Sequence, residues 1–446
     1  MRWTQGYARK ERIRIRVGGA CGPPGPPCPG ALTWQERDGG TVVTCMSSTK
    51  KYTGYRSFQY LQEGVDYQPF KLAREVQRVA SSRVEVTQAQ EERARQLMND
   101  NLVISLHDHA FVVPEDPQEI WEYRRAGRDW TGYEGLSVSG IDAIFDNLMD
   151  GTAVITSKAG WKWDDIIWDL GMRLSDIAHQ DMVIRAETTA DIRRAKANGQ
   201  IAFVPSLEAA TPIENEVDRL DVLYGLGIRQ SGIAYSEANT LGCGLREAND
   251  GGLTQFGRLA VRRMNRLGIA IDISHSGDQT SLDTIEVSEK PIFITHVGAR
   301  ALWNTRRMKP DHILKACADK GGVIGIEAAP HTTLTREYPR HNIESFMQHF
   351  DYVANLVGID HVAFGPDTLF GDHVALHHAF ARQLSIQAAH GTSDFEEVEF
   401  VDGIENPSEE FHNITRWLVK HDYSDADIAR VLGENIMRVL GEVWYR

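Results

Sequence analysis

Six side chains that can bind a divalent metal ion follow short apolar segments of the chain. They are His107, His109, Glu208, His275, His296 and Asp367. Imidazole and carboxylate groups are both ligands that Zn²⁺ and related cations accept. Two such cations about 3.5–4 Å apart can lower the pKa of a shared water molecule and prepare it for hydrolysis. The residue types therefore predict a two-metal site with hydrolytic chemistry.

The spacing of these residues predicts how they divide between two metal ions. His107 and His109 are two residues apart, so on a β-strand both side chains point to the same side and can bind one ion. His275 and His296 end two neighbouring predicted strands and can bind the second ion. Glu208 lies between these pairs in the sequence, and its carboxylate can bridge the two cations.

Asp367 is the remaining carboxylate, and it is predicted to take a proton from the attacking water and pass it to the leaving amine. Each residue alone also has a simpler interpretation. A buried histidine can be an ordinary core residue, Glu208 can pair with an arginine, and Asp367 can cap a helix. The occurrence of all of them at the ends of separate predicted strands favours the metal site.

Eight predicted β-strands position these ligands. Runs rich in valine and isoleucine alternate with amphipathic stretches, as is typical of βα units around a parallel sheet. The predicted strands are 102–107, 182–187, 201–208, 228–235, 269–275, 291–296, 322–328 and 361–367, with 151–157 as a ninth candidate. Five of the eight deliver one of the side chains named above at their carboxyl ends, and in a closed barrel such ends meet at one face. The sequence therefore predicts a (β/α)₈ TIM-like barrel of the metal-dependent hydrolase type.

Helices are predicted between these strands and after them. Apolar residues recur at helical spacing over 189–199 and 254–268, and both stretches end in glycine. Three more helices are predicted between residues 407 and 444, where they would close the chain.

The composition is that of an ordinary globular protein, with an unusual beginning. The chain has 446 residues and a formal charge of −14, which disfavours nucleic acid as a partner. Residues 1–45 are rich in Pro and Gly and are predicted to be a disordered extension, with Met46 as the hypothesised natural start. Residues 46–446 are predicted to form one barrel domain, with an aromatic-rich insertion near 110–165.

Several segments resemble the membrane dipeptidase family (renal dipeptidase-like, peptidase family M19) of the amidohydrolase superfamily. They are SLHDH, IAFVPSLEAA, DGGLTQFGRLAVRRMNRLGIAIDISHSGDQT, PIFITHVGARAL and HVAFGPD. The resemblance covers nearly all of residues 101–446. It implies a binuclear zinc site in a TIM-like barrel, usually within a homodimer.

The resemblance also implies roles for individual residues. By position it assigns metal binding and proton transfer to the six side chains named above. Arg307, eleven residues after His296, matches an arginine that binds the terminal carboxylate of the substrate. Tyr235 lies near the position from which other members contact the reacting carbonyl. His109 is a departure, because the family usually has an aspartate there.

The function predicted from the sequence is that of a zinc-dependent dipeptidase that cleaves a dipeptide or a close analogue with metal-activated water. The altered His107-x-His109 pair and the aromatic insertion leave an alternative open. In that alternative the same metal centre acts on a non-peptide amide, lactone or carbamate. A third hypothesis is a catalytically silent barrel that binds a partner.

Cellular location and partners are predicted from what the sequence lacks. It contains no run of about 18 apolar residues that could span a membrane and no recognisable secretion signal. Its five cysteines form no CxxC pair, which indicates a reducing compartment. We therefore expect a cytoplasmic homodimer that binds a small-molecule or dipeptide substrate.

Overall fold

A computed structural model describes residues 50–149, 162–381 and 395–445. Its strands, in chain order, are β1 Ile104–Asp108, β2 Phe111–Val112, β3 Trp130–Thr131, β4 Ala143–Met149, β5 Val183–Arg185, β6 Ile201–Leu207, β7 Gln230–Gly232, β8 Ala270–Asp272, β9 Phe293–Val297, β10 Val323–Ile326 and β11 Val362–Phe364. The predicted extension at 1–45 and the strand candidate at 151–157 lie outside the described residues.

Eight parallel strands follow one another around a barrel in the order β1, β4, β6, β7, β8, β9, β10 and β11. Two backbone hydrogen bonds close the ring between β1 and the segment after β11. Asp367 N–H donates to the His107 carbonyl over 3.0 Å, and His109 N–H donates to the Thr368 carbonyl over 2.9 Å. The predicted TIM-like barrel is therefore confirmed.

The helices pack around this barrel and against the end at which its strands begin. They are α1 Gln88–Asp100, α2 Ile120–Arg125, α3 Tyr133–Val138, α4 Trp163–Ile177, α5 Thr189–Ala197, α6 Arg219–Gly225, α7 Gln255–Leu267, α8 Asp278–Val287, α9 Asp311–Asp319, α10 Ile343–Val357, α11 His373–Ala379, α12 Glu410–Lys420, α13 Asp425–Ala429 and α14 Asn435–Val443. A π-helical turn, Arg430–Glu434, joins α13 to α14. Within the described ranges, no helix combines the length and the apolar character needed to cross a bilayer.

Helix α7 shows how closely local sequence determined some boundaries. The Thr254 side chain accepts a hydrogen bond from Gly257 N–H and so caps the first turn. Gly268 ends the helix in the left-handed region, at φ 82°. The helix predicted over 254–268 is thus confirmed within one residue at each end.

The predicted position of the second barrel strand is wrong. Residues 182–187 do contain a strand, β5, but it pairs with β6 beside the ring. The position between β1 and β6 belongs to β4, Ala143–Met149, which was not predicted. Asp146 and Asn147 interrupt its apolar run, and Asp146 is needed there because its carboxylate accepts a hydrogen bond from Ala110 N–H.

The predicted aromatic insertion near 110–165 therefore includes part of the barrel itself. Between β1 and β4 lie the antiparallel pair β2–β3 and the short helices α2 and α3. Trp130 is buried there and packs edge-on against Phe58 and Tyr67 from the preceding segment. Most of this region is a packed aromatic subdomain on the side of the barrel.

The end of the barrel at which the strands begin is closed by apolar packing. Ile104, Phe145 and Phe293 from three strands belong to the same core cluster as Leu440 of α14 and Trp444. The Trp444 indole N–H also donates to the Arg229 carbonyl, just before β7. Helix α14 therefore closes the end opposite the predicted ligands.

Candidate metal centre

The five predicted metal ligands and the predicted proton-transfer residue Asp367 meet at the carboxyl ends of the barrel strands. Glu208, directly after β6, is central, because its Oε1 lies near imidazole nitrogens from three other strands. It is 3.0 Å from His275 Nε2, 3.5 Å from His296 Nε2 and 3.8 Å from His107 Nε2. All four side chains are buried. The predicted convergence of distant residues on one point is therefore present in the structure.

Asp367 lies within this cluster rather than beside it. Its Oδ1 is 3.1 Å from His109 Nε2 and 3.4 Å from His107 Nε2. Ligand atoms of Asp367, His107 and His296 lie within 4.8 Å of one another. The backbone of Asp367 has φ 60°, an unfavourable conformation for a residue other than glycine. The hydrogen bond from its N–H to the His107 carbonyl helps to hold it there.

The arrangement fits bound divalent cations. Three overlapping groups each bring ligand atoms within 4.8 Å of one another: His107, His109 and Glu208; His107, His296 and Asp367; and Glu208, His275 and His296. The Nε2 atom of His107 is buried and lies 3.4 Å from Asp367 Oδ1 and 3.8 Å from Glu208 Oε1. The Nε2 atoms of His275 and His296 are only 2.9 Å apart. Neutral imidazoles and carboxylates aimed at one small volume are a donor set that suits zinc and similar ions.

Burial keeps the histidines of the cluster in the form that binds metals. It lowers the pKa of His275 well below the usual value, and the charge of Arg307 acts in the same direction. Burial likewise lowers the pKa of His296, together with His107 and Arg307. Burial would raise the pKa of Asp367, but hydrogen bonds to His107 and His109 outweigh it and hold that pKa well below its usual value. Neutral imidazoles and an ionised carboxylate are the protonation states that a metal ion requires.

A chain of polar side chains behind His296 fixes its ring. Thr295 Oγ1 donates to Asp272 Oδ2 over 2.9 Å and lies 2.8 Å from His296 Nδ1. Because the hydroxyl proton goes to Asp272, the same oxygen can accept the Nδ1 proton of His296. The Nε2 atom then keeps its lone pair toward the cluster, as a metal ligand must. Neither Asp272 nor Thr295 was identified from the sequence.

Asn147 supports the other pair of histidines and was also missed. Its side-chain amide lies 2.8 Å from His107 Nδ1, and its backbone carbonyl lies 3.3 Å from His109 Nδ1. Asn147 belongs to β4, the strand that was not predicted. The sequence signal for Asn147 is its place in the segment AIFDNLM, once that segment is recognised as a strand.

Asp108 lies between two of the predicted ligands but faces away from the cluster. Its carboxylate accepts hydrogen bonds from the Ser105 hydroxyl and from Thr368 N–H. The Thr368 hydroxyl also lies 2.7 Å from the Glu410 carboxylate of α12. Burial raises the pKa of Asp108 to about 7. These contacts hold the ends of β1 and β11 together directly behind the site.

Two glycines allow the ligand-bearing strands to approach closely. A Cβ atom on Gly232, at the end of β7, would lie 1.9 Å from the Glu208 carbonyl oxygen. A Cβ atom on Gly365, just after β11, would lie 2.2 Å from the Thr295 carbonyl oxygen and 3.1 Å from His107 Cβ. Any side chain at either position would displace backbone that carries a ligand.

Tyr235, predicted to contact the reacting carbonyl, lies beside the cluster. Its ring stacks on that of His275, with centroids 4.0 Å apart and planes inclined by 23°. The loop that follows Tyr235 folds back on it, because Leu245 N–H donates to the Tyr235 carbonyl. A Cβ atom on Gly244 in this loop would lie 2.1 Å from the same carbonyl oxygen. The structure therefore positions the ring at the site by backbone as well as side-chain contacts.

Arg307, predicted to bind a substrate carboxylate, borders the cluster but already has partners. Its Nη1 and Nη2 atoms each donate to the His296 carbonyl over 3.2 Å. Nη2 also forms a salt bridge with Glu327 Oε2. Glu327 directly follows β10 and is fully buried. Burial raises its pKa to about 8, although Arg307 acts in the opposite direction.

Glu327 was not identified from the sequence, although a signal for it exists. The segment GVIGIE is an apolar run that ends in a carboxylate, like the IAFVPSLE segment that ends in Glu208. The same rule applied to both would have placed Glu327 at the carboxyl end of a barrel strand.

Comparisons with known proteins identify one peptidase family. The model of the family described as membrane dipeptidase (peptidase family M19) matches residues 170–379. Dipeptidase tcpJ of Claviceps purpurea (strain 20.1) is 27% identical over 277 residues, which cover 62% of this chain and 58% of that protein. The chain thus spans less than two thirds of that relative's length.

Two further matches come from bacteria. A Klebsiella pneumoniae protein described as uncharacterized, from the pqqA 5′ region, is 31% identical over 214 residues, which cover 46% of this chain and 79% of that protein. The crystal structure of an amidohydrolase from Pseudomonas aeruginosa superimposes with a TM-score of 0.64 and 28% identity. The superposition covers 79% of this chain and 99% of that one.

Proposed function

The chain belongs to the membrane dipeptidase family, peptidase family M19, and on this premise we propose that it is a metal-dependent dipeptidase. Its substrate would be a dipeptide or a close analogue, cleaved at the amide bond by water. The observation that carries the proposal is the meeting of four imidazoles and two carboxylates in three overlapping groups at one end of the barrel. A catalytically silent barrel would have no need to bury this many polar groups against one another.

We propose that the cluster holds two zinc ions. His107 and His109 would bind one ion, His275 and His296 the other, and Glu208 would bridge them. When bound, such a pair supplies Lewis acidity that acidifies water and polarises the scissile carbonyl. The division of ligands is supported by the separate groups that share Glu208, one with His107 and His109 and one with His275 and His296.

The protein's own groups would then move the proton and hold the substrate. The ionised Asp367 carboxylate, 3.1 Å from His109 Nε2, would accept a proton from the attacking water at Oδ1. It would return that proton to the nitrogen of the leaving amine, so that the carboxylate is regenerated. Tyr235, stacked on His275, would hold the reacting carbonyl in place by a hydrogen bond from its phenol.

We propose that Arg307 contacts the C-terminal end of the substrate. Its place beside His296 supports this role. The contact with Glu327 favours a second candidate function, the hydrolysis of a non-peptide amide, because a guanidinium that already bonds to Glu327 and to the His296 carbonyl is less available to a substrate carboxylate. Both candidates share the same metal centre and differ only in the substrate.

A substrate panel on metal-analysed protein tests the proposal. Purified protein would be assayed with dipeptides as free acids and as C-terminal amides, and with simple non-peptide amides. We expect cleavage of at least one dipeptide form, its loss after chelation, and its return when zinc is added. Metal-replete protein that cleaves no dipeptide in either form, but does cleave a non-peptide amide, would select the second candidate.

Assembly and location are also proposals. We expect a homodimer in the cytoplasm, on the basis of the family resemblance and the cysteine pattern in the sequence. Sedimentation at several protein concentrations would measure the oligomeric state, and a monomer at all concentrations would contradict it.

A further inference from the structure

The four imidazoles of the cluster differ in how their Nδ1 atoms are supported. Three of them have a polar partner within 3.3 Å of Nδ1: His107 and His109, both beside Asn147, and His296, beside Thr295. The Nδ1 atom of His275 is buried and has no hydrogen-bond partner among the described residues. A histidine that binds a metal through Nε2 is normally oriented by a hydrogen bond at its other ring nitrogen. The ring of His275 must therefore be oriented in another way.

The ring of Tyr235 lies flat against that of His275. The two centroids are 4.0 Å apart, the planes are inclined by 23°, and both side chains are buried. The torsion that turns an imidazole about its Cβ–Cγ bond has broad minima, so it does not fix the ring by itself. Rotation of the His275 ring would drive its edge into the Tyr235 ring in a closely packed interior. The stack therefore restricts the direction in which His275 Nε2 points.

Backbone contacts hold the two rings in register. Gly244 forms an antiparallel β-bridge with Ser276, the residue after His275. The next residue along the loop, Leu245, donates its N–H to the Tyr235 carbonyl over 3.0 Å. One loop thus contacts the backbone beside both rings. The position of the Tyr235 ring relative to His275 is therefore fixed by the fold.

Metal binding should strengthen the stack. An imidazole that binds a divalent cation takes on part of the positive charge. The face of a tyrosine ring is electron-rich and attracts a cation within about 6 Å of its centroid. The Tyr235 ring therefore favours the metal-bound form of His275. This attraction belongs to the aromatic ring and does not need the hydroxyl group.

We propose that the aromatic ring of Tyr235 is the positioning group for His275. By stacking, it does for this ligand what a hydrogen bond at Nδ1 does for the other three histidines. The zinc position formed by His275 and His296 then depends on the Tyr235 ring, whereas the position formed by His107 and His109 does not. The inference rests on the proposed metal centre and is separate from the contact proposed between the Tyr235 phenol and the substrate.

Stepwise zinc binding tests the proposal without turnover. Zinc would be titrated into the metal-stripped full chain in competition with a chromophoric chelator, and His275→Ala would identify which of the two affinities depends on that ligand. In Tyr235→Leu, the His275-dependent affinity should fall by roughly 10–100-fold, as for other groups that orient a ligand, while the second affinity changes far less. Tyr235→Phe keeps the ring, so both of its affinities should match those of the wild type.

Two further variants make the comparison secure. Tyr235→Met places a flexible apolar side chain at the same position and replaces Tyr235→Leu if circular dichroism shows that the leucine variant does not fold. A matched control lies at the surface, where Tyr60 stacks on His179 with centroids 3.6 Å apart and planes inclined by 10°. Tyr60→Leu removes a tyrosine–histidine stack of the same kind and should leave both zinc affinities unchanged.

The outcomes separate this inference from the proposed hydrolase function. Loss of the His275-dependent affinity without the ring, and its retention in Tyr235→Phe, support the proposal even if no dipeptide is cleaved. That result would count against the hydrolase function alone. Wild-type affinities in a folded Tyr235→Leu or Tyr235→Met variant, or an equal loss of affinity in Tyr235→Phe, overturn the proposal and leave the hydrolase function standing. An equal loss of both affinities in Tyr235→Leu also overturns it, because a general structural role would explain that result.

Discussion

The two ends of the barrel are built from opposite kinds of side chain. At the carboxyl ends of the strands, Glu208, His275 and Asp367 are buried together with other polar groups. At the other end, apolar side chains such as Phe293 and Leu440 fill the space between the strands and α14. Burying polar and charged groups costs free energy, whereas burying apolar surface contributes about 25 cal/mol per Å². The apolar end therefore supplies stability that the ligand end does not.

Substitution at the centre of the ligand end should have the largest effect on activity. Glu208→Gln keeps the size of the side chain but removes the charge that contacts three imidazoles. Substitution of a residue that hydrogen-bonds to a metal ligand typically lowers activity by roughly 10–100-fold. We expect kcat/KM of the Glu208→Gln variant to fall by more than that. Circular dichroism should show a folded protein. Activity within threefold of the wild type would contradict a bridging role.

Substitution of a residue that supports a predicted ligand through a hydrogen bond should weaken the metal site less. Thr295→Val removes the oxygen that joins Asp272 to His296 while keeping the shape of the side chain. We expect zinc affinity, measured by competition with a chromophoric chelator, to fall by roughly 10–100-fold. Unchanged affinity would mean that packing alone orients the His296 ring.

A change at the apolar end should separate stability from activity. Leu440 is fully buried, and Leu440→Ala should lower the free energy of unfolding by about 2–5 kcal/mol. Chemical denaturation measures this loss. At a temperature where the variant is folded, kcat/KM should match that of the wild type. A large loss of activity in folded protein would show that the two ends are coupled.

A further expected effect, on stability rather than activity, concerns a charge buried near the ligand end. Burial lowers the pKa of Lys309 to about 7, and its ammonium donates to the Ser276 carbonyl and the Ser281 hydroxyl. Between pH 7 and the unfolded pKa near 10.4, the unfolded state binds more protons than the folded state. Stability should therefore rise with pH over this range.

The Lys309→Met variant tests whether Lys309 causes this rise in stability with pH. Denaturation midpoints at pH 7 and pH 9.5 would be compared for both proteins, and the rise should be smaller in the variant. An equal rise in both would show that Lys309 is not its source. The Glu187→Gln variant, which changes a charge far from Lys309 in sequence, should keep the wild-type pH dependence.

The sequence predicted the ligands better than the residues that support them. The five predicted ligands and Asp367 follow apolar runs that become strands, so their meeting at one end followed from the closure of a parallel barrel. Asn147 was missed because Asp146 and Asn147 disrupt the apolar pattern of β4. Asp272 and Thr295 lie inside segments that were read as strands, and their hydrogen bonds to one another depend on register across neighbouring strands.

The partner of Arg307 could not be predicted from spacing. Arg307 and Glu327 are separated by all of α9 and all of β10, and only the folded chain brings them together. The family resemblance predicted a substrate-binding role for Arg307. The contacts of its guanidinium also depend on Glu327, which the resemblance did not identify. Specificity was therefore less accessible from sequence than the metal site.

Metal content tests the central claim most directly. Protein loaded with zinc and passed through a desalting column would be analysed for zinc per chain by mass spectrometry, alongside Glu208→Gln and the Glu187→Gln control. The account predicts two zinc ions per chain in the wild type and the control, and a clear loss in Glu208→Gln. Wild-type protein that retains no zinc, or Glu208→Gln that retains as much as the wild type, would contradict it.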